Sequence, residues 1–126
     1  MFANTKAFSG FAVPDLQQAR AFYEGTLGLK KIDEEPQGAV TYQSGSGKVT
    51  VYESEYAGTN KGTAASWRVK DVDQAVQELK GKGVSFEHYD NLPGTTRKGD
   101  TYVAGGMKLA WFKDPAGNIL GLESGA

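Results

Sequence analysis

One histidine, His88, and no cysteine restrict the chemistry open to this chain of 126 residues. Thiol catalysis, thiolate zinc sites and redox switching need a sulfur that is absent. A Ser-His-acid triad would have to use His88, in a segment of alternating pattern, and the chain has no Gly-x-Ser-x-Gly elbow. Ser44-Gly45-Ser46-Gly47-Lys48 has the outline of a phosphate loop. However, Val49 stands where Ser or Thr must hold magnesium, Tyr42 stands where the first Gly belongs, and a strand pattern follows instead of a helix. It reads as a hairpin turn. Two carboxylates remain, Glu53 and Glu123, each near the end of a strand-like tract, Val51-Tyr52-Glu53-Ser54 and Gly121-Leu122-Glu123-Ser124. Either could act as a metal-free general base if an apolar setting raised its pKa, or stand as a strand-end glutamate facing solvent.

Composition narrows the partners. Fourteen Lys+Arg against 15 Asp+Glu give a formal net charge of −1, without the basic stripe that a phosphate backbone requires, so no nucleic acid is expected. No apolar run approaches the length of a bilayer crossing, and Met1 to Lys6 lacks the basic and then apolar segments of a secretion signal. No membrane partner and a cytoplasmic location are the expectations. At this length folding removes roughly two thirds of the unfolded chain's surface from water, and 39% hydrophobic residues suffice for one core without disulfides or structural metal.

The elements that must position these residues are written twice. Ala7 to Val13 is strand-like and leads to Asp15, which can cap a helix, with Gln18 placed to reach back; Ala65 to Val69 leads likewise to Asp71 and Gln74, each 56 positions on. Leu16, Ala19, Phe22, Tyr23 and Leu27 form one apolar stripe, and Val72, Ala75, Val76 and Leu79 another. Gly28 and Gly83 follow where a left-handed residue ends a helix, and lead into strands Leu29 to Asp33 and Val84 to Tyr89. Hairpins over Ala39 to Glu53 and Lys108 to Glu123 complete two βαβββ halves. The closing tracts align at 70 positions, not 56, which assigns 14 extra residues to the second half, in the polar stretch Asp90 to Gly106. That stretch is read either as a lid over a pocket or as an idle surface insertion.

Asp15-Leu16-x-x-Ala19-x-x-Phe22-Tyr23, Leu27-Gly28-Leu29, Asp71-Val72-x-x-Ala75 and Phe112-x-Asp114-Pro115-x-Gly117-Asn118 resemble the vicinal oxygen chelate superfamily of glyoxalases, bleomycin-resistance proteins and extradiol dioxygenases. The resemblance covers nearly the whole chain. It implies an α+β fold: one domain over 1–126, with modules at about 5–54 and 63–124, a linker at 55–62, curled mixed sheets, helices outside, and a concave face for substrate or drug. A second chain commonly completes it, so a homodimer is expected. In metal-using relatives the ligand positions fall on Phe8, Ala64, Gly121 and, at the 70-residue offset, Val51, and none of these side chains can bind a cation. No metal and no cofactor are therefore expected, although a carboxylate site on Glu53 and Glu123 is conceivable.

With the register set from those positions, Phe8, Gly10 and Ala12 face the cavity with Val49, Val51 and Glu53, and Ala64, Ser66 and Arg68 face it with Leu109, Trp111, Gly121 and Glu123. The ligand-binding set is Phe8, Ala12, Val51, Glu53, Arg68, Tyr102, Trp111 and Glu123; no catalytic residue is assigned. Phe8 and Trp111 supply stacking surfaces, and Arg68 either grips a carboxylate or phosphate or pairs with Glu123 or Glu53. Tyr102 closes over an anion from the lid, or is an edge-strand tyrosine. The expected function is metal-free binding of an aromatic or anionic organic ligand. The alternative is a glyoxalase-like lyase or isomerase, or a dioxygenase-related enzyme, with an atypical site.

Overall fold

A computed structural model of the chain describes residues 2–90 and 92–125. Met1, Ala126 and Asn91, the last within the expected lid stretch, lie outside the described residues. The fold is α+β, built on two mixed sheets. The first half runs β1 (Ser9–Val13), α1 (Leu16–Arg20, continued by a π-helical turn, Ala21–Thr26), β2 (Lys30–Glu34), β3 (Val40–Ser44) and β4 (Gly47–Glu53). The second runs β5 (Thr63–Arg68), α2 (Val72–Gly81), β6 (Thr96–Lys98), β7 (Thr101–Ala104), β8 (Met107–Lys113) and β9 (Ile119–Ser124). Sheet orders are β1-β4-β3-β2 and β5-β9-β8-β7-β6, with β1 parallel to β4, β5 parallel to β9, and antiparallel pairs elsewhere.

Local chemistry places the helices as expected. Asp15 accepts hydrogen bonds from the backbone N–H groups of Gln17 (2.9 Å) and Gln18 (3.4 Å), and Asp71 accepts one from Gln74 (3.1 Å), answering donors that a helix start leaves orphaned. The side chain of Gln74 turns forward to Glu78 instead of back to the cap. Gly28 and Gly83 take the left-handed conformation, φ 70° and 91°, which lets each helix end turn sharply into the chain beyond it.

Both helices pack on the same side of the sheets over one apolar cluster that joins the halves: Phe11, Val13 and Tyr23 from the first meet Phe112, Leu120 and Leu122 from the second. Burial of a large side chain such as Phe112, 1% exposed, contributes about 1.5–3 kcal/mol. The β8–β9 turn ties the modules together. Asn118 Nδ2 donates to the carbonyl of Ala12 at 2.8 Å, and the Tyr23 hydroxyl donates to Asp114 Oδ2 at 2.7 Å.

Three expectations are corrected. Val84 to Tyr89 is not a strand but makes one bridge, Phe86 to Phe112, because the edge of β8 is shared with β7, which pairs at Tyr102–Leu109. The stretch Asp90 to Gly106 is not an open lid: it contains the hairpin β6–β7, and Tyr102 is 1% exposed. The third correction concerns register. In the first half Phe11 lies opposite Val51 and Val40 opposite Val51; in the second Trp67 and Ala110 both lie opposite Leu122. The core-facing positions of β4 thus recur in β9 after 71 residues, not 70. The β8–β9 turn holds one residue more than its counterpart, and a one-residue slip exchanges the two faces of a strand. Val49 and Val51 belong to the core, while Lys48, Thr50 and Tyr52 occupy the helix-free face.

Candidate functional site

Two consequences follow for the carboxylates. Glu53 lies opposite Val13, on the helix side, where its Oε1 accepts the backbone N–H of Leu16 at 3.1 Å and so helps to cap α1. Glu123 lies on the helix-free face, opposite Arg68, whose Nε and Nη2 both donate to its Oε1 at 3.1 and 2.7 Å. The two glutamates that match in sequence therefore sit on opposite faces.

Register extends the Arg68–Glu123 pair into a row across sheet two, through Leu109 to Tyr102. Beside it Trp111 packs edge-to-face on Tyr102, with centroids 5.2 Å apart, and on Tyr89, 5.8 Å apart. Its indole N–H donates to Thr63 Oγ1 at 3.2 Å. Tyr102 donates its hydroxyl proton to the carbonyl of Tyr89 at 3.0 Å, which fixes it within the sheet. This aromatic wall flanks Gly121, where an added Cβ would stand 2.8 Å from Ser66 Oγ. In sheet one Ala12 shares the helix-free face with Tyr52.

A cavity of about 640 Å³ lies where β1, β5 and the β3–β4 turn meet. Phe8 and Lys48 line it from the first half, Ser66, Trp67 and Arg68 from the second, and the Ser44 to Gly47 turn forms a third wall. The structure thus brings Phe8 and Arg68 together; Trp111, Tyr102 and Glu123 stand along the adjoining face, and Val51 and Glu53 lie behind the sheet. The asymmetry between the halves makes the opening. The longer β8–β9 turn bonds across to Tyr23 and Ala12, whereas the Gly-Ser turn at Gly45 and Ser46 crosses, among the described residues, only by the Trp67 indole N–H, which donates to Ser44 Oγ at 2.8 Å. Sequence reasoning had assigned the turn no role beyond its shape. A lysine directly after a Gly-Ser turn was the available signal, since a turn without bulky side chains leaves room beside its charge.

Titration is perturbed mainly away from this cavity. Burial first, and then the carboxyl of Asp114, push the Tyr23 phenol far above its ordinary value. The hydroxyl of Tyr42 and then Arg20 hold Glu24 below the usual carboxylate range.

The family model described as the Glyoxalase/Bleomycin resistance protein/Dioxygenase superfamily matches residues 8–122. The chain belongs to that superfamily. Among solved structures with the same fold, the lactoylglutathione lyase of Agrobacterium tumefaciens is 19% identical, with a TM-score of 0.70 over 98% of this chain and 96% of that one. A putative glyoxalase family protein from Bacillus anthracis is 18% identical, with a TM-score of 0.67 and full coverage of both chains, 100% each. The fosfomycin resistance protein FosX of Listeria monocytogenes, complexed with Mn(II) and sulfate ion, is 14% identical, with a TM-score of 0.73 over 98% of this chain and 91% of that one. At these identities the likeness establishes the vicinal oxygen chelate fold. No curated protein sequence matches the chain.

Superfamily members that use a divalent metal need several converging donors, and the residues of this member do not fit one. After the register correction the four ligand positions hold Phe8, Ala64, Gly121 and Thr50 in place of Val51. The Thr50 hydroxyl is hydrogen-bonded to Thr41 Oγ1 at 2.8 Å, and Ser66 crowds the space beyond Gly121. Among the described residues no three His, Cys, Asp or Glu side chains gather as a metal site would require.

Proposed function

We propose that this superfamily member is a metal-free small-molecule binding protein that holds an aromatic, anionic organic ligand in the cavity between its modules. The observation that carries the reading is that Phe8 and Arg68, contributed by different halves, line one cavity of about 640 Å³. Phe8 is 65% exposed, and an aromatic guest stacked on it gains about 0.5–1.5 kcal/mol beyond area burial. Arg68 presents a planar guanidinium that matches a carboxylate or phosphate, with Lys48 as a second cation on the same cavity. Glu123 holds Arg68 in place in the free protein and yields one of its hydrogen bonds when an anion arrives.

Calorimetric titration with a panel of aromatic carboxylates tests this directly. The reading requires saturable binding by at least one of them and weaker binding by the neutral amide of the same ring. Stoichiometric nickel, zinc, iron or manganese in the purified protein would overturn it. The functional unit is a homodimer in this reading, supported by Tyr52, 43% exposed on the helix-free face, which a second copy would cover. Sedimentation at micromolar concentration distinguishes a dimer from a monomer.

A further inference from the structure

The second half of the chain lacks an aromatic ring that the first half contains, and the space for it is open. In the first half Tyr23 is fully buried at 0% exposure, 5.6 Å from the Phe11 ring, 5.2 Å from Phe22 and stacked 6.0 Å from Tyr42, with its hydroxyl on Asp114 Oδ2 at 2.7 Å. The repeat converts each of these into a counterpart. Tyr23 becomes Leu79, Phe11 becomes Trp67 and Phe22 becomes Glu78, each 56 positions on; Tyr42 becomes Phe112, 70 positions on, and Asp114 becomes Ser44, 70 positions back. Strand register confirms the correspondence independently, since Tyr42 pairs with Val49 as Phe112 pairs with Leu120.

All five counterparts line one crevice of about 270 Å³ on the helix side of sheet two. The rest of the Tyr23 nest recurs with them: Val69, Ala75 and Leu122 stand where Val13, Ala19 and Val51 stand in the first half, and they line the same crevice. Trp67, Leu79 and Val69 are only partly buried, whereas Phe11, Tyr23 and Val13 are 6%, 0% and 1% exposed. Exchange of a phenol for an isobutyl group at position 79 removes the ring that would seal the layer. An apolar cavity of roughly 150 Å³ is already enough to take benzene.

We infer that this crevice is a second binding site, for a phenol-class ring that takes the place Tyr23 holds in the other half. The ring lies against Phe112 and Trp67, and its hydroxyl meets Ser44, where Asp114 receives the Tyr23 proton. Ser44 Oγ already accepts the Trp67 indole N–H, so it retains one lone pair and one O–H for the guest. Ser44 and Trp67 border both this crevice and the anion cavity, but the crevice needs no charge on the ligand, and Leu79, Val69 and Leu122 line it alone.

The test uses the whole chain with phenol and p-cresol as probes, at the millimolar concentrations expected of such small ligands. Nuclear Overhauser contacts from the probe's ring protons to the methyl groups of Leu79, Val69 and Leu122 are expected, with a concentration-dependent rise in Tm. Contacts to the Phe8 ring instead, or no saturable contact, overturn the inference. Leu79→Tyr fills the space from within: its Tm rises above that of the parent and its response to phenol disappears. A Leu79→Tyr variant that folds yet keeps the parent's phenol contacts also overturns it. If that variant fails to fold, the contact pattern in the unmodified chain decides alone.

Discussion

The phenol of Tyr23 reaches 91 positions along the chain to donate to Asp114, both residues being buried at 0% and 4% exposure. Asp114 also accepts the Ala116 N–H at 3.0 Å and the Asn118 N–H at 2.8 Å, so one carboxyl organises the β8–β9 turn and anchors it to the π-helical turn that continues α1. Tyr23→Phe deletes one donor and leaves its acceptor in the core, at a cost of about 1–3 kcal/mol. Urea unfolding monitored by fluorescence should show a lower midpoint with an unchanged slope, since the change is in stability and not in the area exposed.

Arg68 and Glu123 make a different kind of pair, with side chains 69% and 30% exposed, so their mutual attraction is worth at most about 1 kcal/mol to the fold. Arg68→Met should leave Tm within a few degrees of the parent. The same change should lower affinity for aromatic carboxylates by tenfold or more, about 1.4 kcal/mol, because a charge-assisted contact to the ligand is lost. Titration of both proteins with one carboxylate measures the ratio; equal affinities would remove Arg68 from the site.

A Cβ on Gly121 would stand 2.8 Å from Ser66 Oγ, so a side chain there requires the Ser66 hydroxyl to turn away. Gly121→Ala should destabilise the chain by about 1 kcal/mol, the low end of overpacking, because the exposed Ser66 hydroxyl can rotate aside. Adding Ser66→Gly should recover part of that loss, and thermal melts of the single and double variants would reveal the coupling.

Acid should loosen the second half. Lys80 at 2.8 Å and then His88 at 2.7 Å hold Asp100 below its ordinary 3.8, and Lys108, then Thr101, do the same for Asp73. A carboxyl depressed in the folded state adds stability that is fully present above its unfolded pKa and disappears as pH falls through the folded one. Melting temperature should therefore decline below about pH 4, and Asp100→Asn should flatten that decline while lowering the plateau at neutral pH. Identical acid profiles for the parent and the variant would show that Asp100 does not contribute.

Much of the scaffold was readable because its signals are local. The capping roles of Asp15 and Asp71, the stripes through Tyr23 and Val76, and the left-handed Gly28 and Gly83 each depend on a few neighbouring residues. Register is not local in this way. The likeness of Tyr52-Glu53-Ser54 to Leu122-Glu123-Ser124 suggested an alignment that cross-strand pairing overrules, which is why Val51 and Glu53 were expected on the face that holds Glu123. The β6–β7 hairpin was hidden by polar composition, although Lys98-Gly99-Asp100-Thr101, with Gly99 at φ 66°, carries a short-turn signature. The cavity at Phe8 and Arg68 depends on how the two sheets meet, and no single stretch of chain encodes that.

The extra residue between Asp114 and Asn118 works as a reading frame for β9. Shortening that turn by one would present Ile119, Gly121 and Glu123 to the interior and turn Leu120 and Leu122 outward, without altering any residue of the strand. The two halves keep valine or leucine inward through turns that differ by one residue, and the length of a loop alone therefore sends the look-alike glutamates, Glu53 and Glu123, to opposite sides.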